Sequence, residues 1–163
     1  MGRRRGEQQR VADLHAAVEA TEFRTVRTLA LHYPFDLDVP WYGLVDVDKT
    51  HEIGWLSREE CKRGHVPDGE GLLIVQMSPE WSTAHYDDPL EDAAEEAATL
   101  AADLVGDDRL AAPDWVDDQG WRYALPNEEF DAATDAVAAA RDVGLFVAGD
   151  WVDGEARLHA ALA

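Results

Sequence analysis

The stretch "GLLIVQMS", Gly71 to Ser78, decides the fold class. It is a continuous apolar run bounded by a glycine and a Ser-Pro step. A run of this length reads as a central strand of a sheet. Upstream, "TVRTLALHYPF" (Thr25–Phe35) is rich in β-branched and aromatic residues and stops at Pro34. "WYGLVDVD" (Trp41–Asp48) alternates, with Trp41, Gly43, Val45 and Val47 on one side, which makes that side apolar. "EIGWLS" (Glu52–Ser57) is a third short strand. The four strands follow one another with no long helix between them, which argues a mostly antiparallel sheet.

Helical patterns flank this block. Val11, Leu14, Ala17 and Val18 share a face of a helix over Glu7–Ala20. "SPEWS" (Ser78–Ser82) reads as a turn at Pro79. Asp88–Val105 reads as a helix, with Pro89 in its first turn, acids crowding its N-terminal half and Gly106 ending it. "QGWRYALP" (Gln119–Pro126) is a further strand, and Asn127 suits the cap of a helix over Glu128–Arg141. "GLFVAGDWVDGEARLHAALA" (Gly144–Ala163) then reads as a short buried strand, a corner at Gly149 and Asp150, and a helix start. The fold class is therefore α+β, with a strand-helix fragment at the end.

The charge balance bounds the partners. Thirty-four acids face fourteen bases, for a formal charge of −20, and Lys49 and Lys62 are the sole lysines. Such a surface repels nucleic acid and anionic membranes. Self-repulsion on this scale strains a small fold, and at about 1 M salt a Debye length of ~3 Å relieves it. Arginine-for-lysine usage beside this acidity fits a salt-accumulating cytoplasm; an ordinary acidic protein is the alternative. No apolar run reaches the roughly 20 residues of a membrane span. The twin arginines of "MGRRRGEQQR" lack a following apolar region, so no export signal is read there. Cys61 is the single cysteine, so no internal disulfide forms, and a cytoplasmic location is expected.

Chemistry is sparse. The end corner has two readings: a backbone edge facing a bound group, with Asp150 as acceptor and helix N–H groups behind it, or a plain βα corner with Asp153 as a cap. Trp121 and Tyr123 share a strand face, either lining a pocket for a planar substrate or packing in the core. Gly69-Glu70-Gly71 precedes a strand and reads as a turn, so a dinucleotide fingerprint is missing. His85 with Asp87 and Asp88, and His51 with Glu52, lack the spacing that puts two metal ligands on one helix face, and no metal is expected. Ser82 and His85 lack a nucleophile elbow. No catalytic residue stands out.

Three stretches in order carry a resemblance: "VQMSPEWSTAHYDD" (Val75–Asp88), "GWRYALP" (Gly120–Pro126) and "GLFVAGDWVDGEARLHAAL" (Gly144–Leu162). Together they resemble renalase-like proteins, flavin-dependent oxidoreductases related to the flavin amine oxidases. The resemblance implies a substrate-domain-like region over 7–142 and the C-terminal piece of a Rossmann-like FAD domain over 143–163. It implies FAD as cofactor and hydride transfer from a reduced nicotinamide-type ring or an amine, a small-molecule substrate. It places Gly149 and Asp150 beside the ribityl-diphosphate. Trp151, Val152, Gly154 and Arg157 then fall at the helix start near the flavin ring, and Trp121 and Tyr123 on the substrate side. The family's N-terminal glycine fingerprint has no counterpart in this sequence. The chain therefore reads as a C-terminal fragment that holds FAD poorly alone and needs a partner chain carrying the Rossmann half. The competing reading is a non-catalytic remnant or binding module of the same fold.

Overall fold

Gly71–Met77 forms the middle strand of the sheet, as its apolar run demands. The computed structural model describes residues 2–127, 134–149 and 151–152. The elements are α1 (Gly2–Ala20), β1 (Phe23–Tyr33), β2 (Gly43–Val45), β3 (Ile53–Arg58), β4 (Gly71–Met77), α2 (Pro79–Ala84), α3 (Leu90–Val105), β5 (Trp115–Pro126) and α4 (Thr134–Arg141). Single 3-10 turns lie at Glu59–Cys61 and Asp108–Ala111. The five strands run in the order β2-β3-β4-β1-β5, in an antiparallel sheet with flanking helices. This is the expected α+β class. No helix among the described residues is long and apolar enough to cross a membrane.

The chain divides into two compact units, one of residues 1–24 and 123–163, the other of residues 25–122. In the second unit the apolar positions of β1, β3 and β4 meet α3. Leu29, Leu31, Leu56, Leu73 and Val75 are fully buried. Helix α3 faces them with Ala93, Ala94, Ala97, Ala98, Ala101 and Ala102. A stripe of methyl groups lets the helix lie close on the sheet, and the larger residues of the strands fill the space between. Gly106, at φ 77°, ends the helix in the left-handed conformation that glycine adopts without penalty.

Several expected elements differ. "SPEWS" is no turn but the start of α2, because the Ser78 side chain accepts from the Trp81 N–H and Pro79 occupies the first helical position. Pro89 lies one residue before α3. The second strand shrinks to three residues, and its apolar side is not buried: Val47 is 80% exposed. Asp46 turns the chain there. Its carboxylate accepts N–H bonds from His51, Thr50 and Asp48. These bonds, led by that of His51, hold it below the usual carboxylate range against its own desolvation.

The expected closing strand is absent as well. Residues 145–148 run without a ladder, since a lone strand has no backbone partner to satisfy it. Phe146 is 81% exposed. Of the helix expected over Glu128–Arg141, the part from Thr134 is seen as α4, and residues 128–133 fall outside the described residues. In the first unit Leu14 packs with Val137 and Ala140, and Val147, Trp151 and Val152 lie against them. The first turn of α1 carries no acid, opposite to what the helix dipole favours, so packing rather than end charge holds this helix.

Tyr33 links core to surface. Its ring is fully buried and its hydroxyl donates to the Leu110 carbonyl at 2.8 Å. Burial, aided by the Asp107 charge, pushes this phenol well above the ordinary tyrosine value. The folded state thus favours the neutral form. Its contribution is complete below the unfolded value of about 10 and declines as pH climbs past it. In an absorbance titration at alkaline pH, one of the four tyrosines should ionise only with unfolding. Reversible ionisation of all four together, with the fold intact, would contradict this.

Candidate functional site

The three stretches that carry the family resemblance behave differently in three dimensions. The first two meet. Arg27 on β1, 4% exposed, donates from Nε to Asp118 at 2.6 Å and from Nη1 to the His85 carbonyl at 2.5 Å. Its backbone N–H donates to Ser82 Oγ at 2.9 Å. The Tyr86 ring lies against Gly120, where an added Cβ would come within 3.0 Å of the phenol. The Arg122 guanidinium stacks over the same ring at 4.1 Å. A side chain at Gly120 would crowd the Tyr86 ring, a closeness that the strand pattern alone concealed.

Ser82 and His85 do not form a nucleophile and base. Ser82 is fully buried; its hydroxyl accepts from the Arg27 N–H and donates to the Met77 carbonyl at 3.4 Å. His85 stacks on Trp81 with ring centroids 4.4 Å apart, and its Nδ1 lies 2.8 Å from Asp88. Trp81 donates its indole N–H to Glu96 at 2.9 Å, which ties α2 to α3. His51 Nδ1 accepts the Ile53 N–H. Among the described residues no group of three His, Cys, Asp or Glu is arranged to hold a metal ion.

Trp121 and Tyr123 are exposed, 55% and 75%, so packing in the core does not explain them. Tyr123 meets Phe23 edge-on at 5.7 Å. Both belong to β5, which borders the sheet. Trp115, at the start of the same strand, stacks on His32 at 5.1 Å.

At the C-terminal corner, Gly149, Trp151 and Val152 are described; Asp150, Gly154 and Arg157 lie outside the described residues. The Val152 N–H donates to the Gly149 carbonyl at 3.1 Å and closes a turn. A Cβ at Gly149 would come within 2.6 Å of Trp151 Nε1. The group that approaches this glycine is the chain's own indole. Gly71, in the one G-x-G step, is likewise filled from within the fold, its Cβ position lying 2.8 Å from the Phe35 carbonyl oxygen.

Two arginine and glutamate clusters had no sequence signal. Arg58 donates to the carbonyls of Leu37, Val39 and Trp41 and to Glu60, and so binds the 34–42 connector to β3. Glu59 is bonded by Lys62, His65 and Ser57. Burial pushes Glu59 up, but these bonds outweigh it and hold the carboxyl below its ordinary value. Cys61 is exposed in the 3-10 turn beside it.

No protein-family model matches this chain, and no curated protein does. A solved structure is similar. It is named Putative protoporphyrinogen oxidase, from Exiguobacterium sp. 255-15, with 16% identity and a TM-score of 0.67. The match takes in 85% of this chain and 32% of that one. The likeness is one of fold. The chain spans about a third of the length of that protein.

Proposed function

We propose that this chain forms the substrate-side part of an FAD-dependent oxidoreductase of renalase or amine-oxidase type. The single observation that carries the reading is the fold likeness over 85% of the chain to one portion of a protein named an oxidase. The three sequence stretches resembling renalase-like proteins support it independently.

In this reading FAD, when bound, supplies the hydride acceptor, and the protein supplies orientation and surroundings. Trp121 and Tyr123 offer flat exposed rings to a planar substrate. The resemblance would put Gly149 and Asp150 beside the ribityl-diphosphate, and Trp151, Val152, Gly154 and Arg157 toward the flavin ring. A Rossmann segment, in a partner chain or another part of a longer polypeptide, holds the ADP half.

The expected result is that this chain alone, purified at molar salt, carries no stoichiometric flavin absorbance. Supplied with a Rossmann segment of the same fold, the pair should retain FAD through gel filtration. Tight stoichiometric FAD on the chain alone would overturn the assignment of the ADP site elsewhere. No FAD on any reconstituted pair would overturn the flavoenzyme reading itself.

A further inference from the structure

His32, next to last in β1, is a titratable ring held away from water, with 8% of its surface exposed. Three groups from two other segments close on it. Glu70, just ahead of β4, places Oε2 2.8 Å from Nε2. Asp114, just ahead of β5, places Oδ2 3.6 Å from Nδ1 on the other side of the ring. Trp115, the first residue of β5, stacks on the ring face at 5.1 Å with the planes 9° apart. The residue across the ladder on β4 is Leu72, which carries no charge. Nδ1 is buried and has no hydrogen-bond partner among the described residues.

A neutral imidazole cannot serve this arrangement. It carries one N–H, so either tautomer leaves a bare nitrogen lone pair facing a carboxylate. With the hydrogen on Nε2, Glu70 is satisfied and Nδ1 meets Asp114 acceptor to acceptor. With the hydrogen on Nδ1, the same conflict moves to Glu70. The imidazolium has two N–H groups and a positive charge, and it satisfies both carboxylates. Its charge also strengthens the stack on the electron-rich face of the indole. Histidine is the side chain that exchanges such a proton between about pH 5 and 8, where carboxylates are ionised.

We infer that Glu70, His32, Asp114 and Trp115 form a proton-operated clasp. It fastens the start of β5 to β1 when His32 is protonated and loosens it when the ring is neutral. The moving part is the connector 112–114 together with Trp115, between the 3-10 turn and the strand. The Asp114 N–H donates to the His32 carbonyl at 2.8 Å, so a closed clasp ties this residue by backbone and side chain at once. Farther along β5, Asp118 is bonded to Arg27, and the loosening stops short of it. The closed clasp holds one proton more than the open one. Closure is therefore favoured at the acid end of the range and is lost as pH rises. The clasp stands apart from the flavin reading, since it needs neither a cofactor nor a second chain.

The test is amide hydrogen exchange on the full chain, followed by NMR from about pH 5 to about pH 8 at fixed salt and corrected for the intrinsic pH dependence of exchange. Protection of the Asp114 and Trp115 amides should fall about threefold across the range, a small factor because the Asp114 carboxylate is 61% exposed. Over the same range the His32 ring should pass from two protonated nitrogens to one in its nitrogen shifts. The amides of Leu29 and Leu31, in the middle of the sheet, should keep their protection. Asp114→Asn changes an exposed side chain and should keep the fold, yet lose the pH dependence at residues 114 and 115. His32→Gln should lose it as well. A His32 ring that stays in one charge state throughout would overturn the proposal. So would pH-independent protection of Asp114 and Trp115 in the wild type, or full pH dependence retained in Asp114→Asn. A loss shared equally by Leu29 and Leu31 would also overturn it, because it would report the stability of the whole sheet.

Discussion

Leu73→Ala is expected to lower the unfolding free energy by about 2–5 kcal/mol. Leu73 sits in β4, the middle strand, paired with Leu31 on β1 and Arg58 on β3, and is fully buried. Neighbouring strands close it in on both sides, so the lattice around the deleted methyls relaxes little and a cavity remains. The measurement is a urea melt at fixed high salt. Urea is uncharged and leaves the screening of the −20 charge unaltered, whereas guanidinium would change both at once. The midpoint should fall with an unchanged slope. A loss below about 1 kcal/mol would mean that the β4 face is not the packed centre of the unit.

Arg58→Met should be of similar size, about 3–5 kcal/mol, for a different reason. The guanidinium is nearly buried and serves four acceptors: the Leu37, Val39 and Trp41 carbonyls and the Glu60 carboxylate, itself almost buried. Methionine fills similar volume but leaves the three carbonyls without this donor and the nearly buried Glu60 charge with only the Leu72 N–H, and the loss of that carboxylate's cation is the larger part of the cost. Arg58→Lys should rescue little, because one ammonium cannot span four acceptors served by a rigid planar fork. Hydrogen exchange and limited proteolysis should both open the 34–42 connector selectively. If the lysine variant matches wild type in urea, the clasp contributes only charge and the geometric account is wrong.

The sheet shows where sequence reading succeeds and the corner where it fails. The run Gly71–Met77 is apolar at every position except Gln76, and it forms the central strand, with Gly71, Leu73, Val75 and Met77 buried on one face and Leu72 and Ile74 half-buried on the other. The end of α3 at Gly106 follows from a glycine free to turn left-handed, whereas its start at Leu90 lies two residues beyond the Asp88 expected, with Pro89 before the helix rather than in its first turn. At the corner, the same logic predicted a strand over Gly144–Ala148, where residues 145–148 have no ladder. A strand exists only where another strand meets it, and that partner is not written in the five residues themselves.

The candidate site depended more heavily on tertiary structure. Trp121 and Tyr123 were legible as neighbours on one strand face, because alternation follows from the pleat. Their exposure was not legible, since it depends on what covers β5. Arg27, Arg58 and Gly120 carried no pattern of their own. Each owes its role to groups far along the chain: Arg27 to Asp118, Arg58 to Leu37, Gly120 to Tyr86. By itself the sequence determined the charge, the strand block and the lack of a glycine-rich phosphate loop. These are properties of composition and short-range period. Only the tertiary structure decided that Ser82 is a structural hydroxyl and that Trp151 covers Gly149. Each is a matter of which distant surfaces come within a few ångströms, which packing sets and local pattern does not.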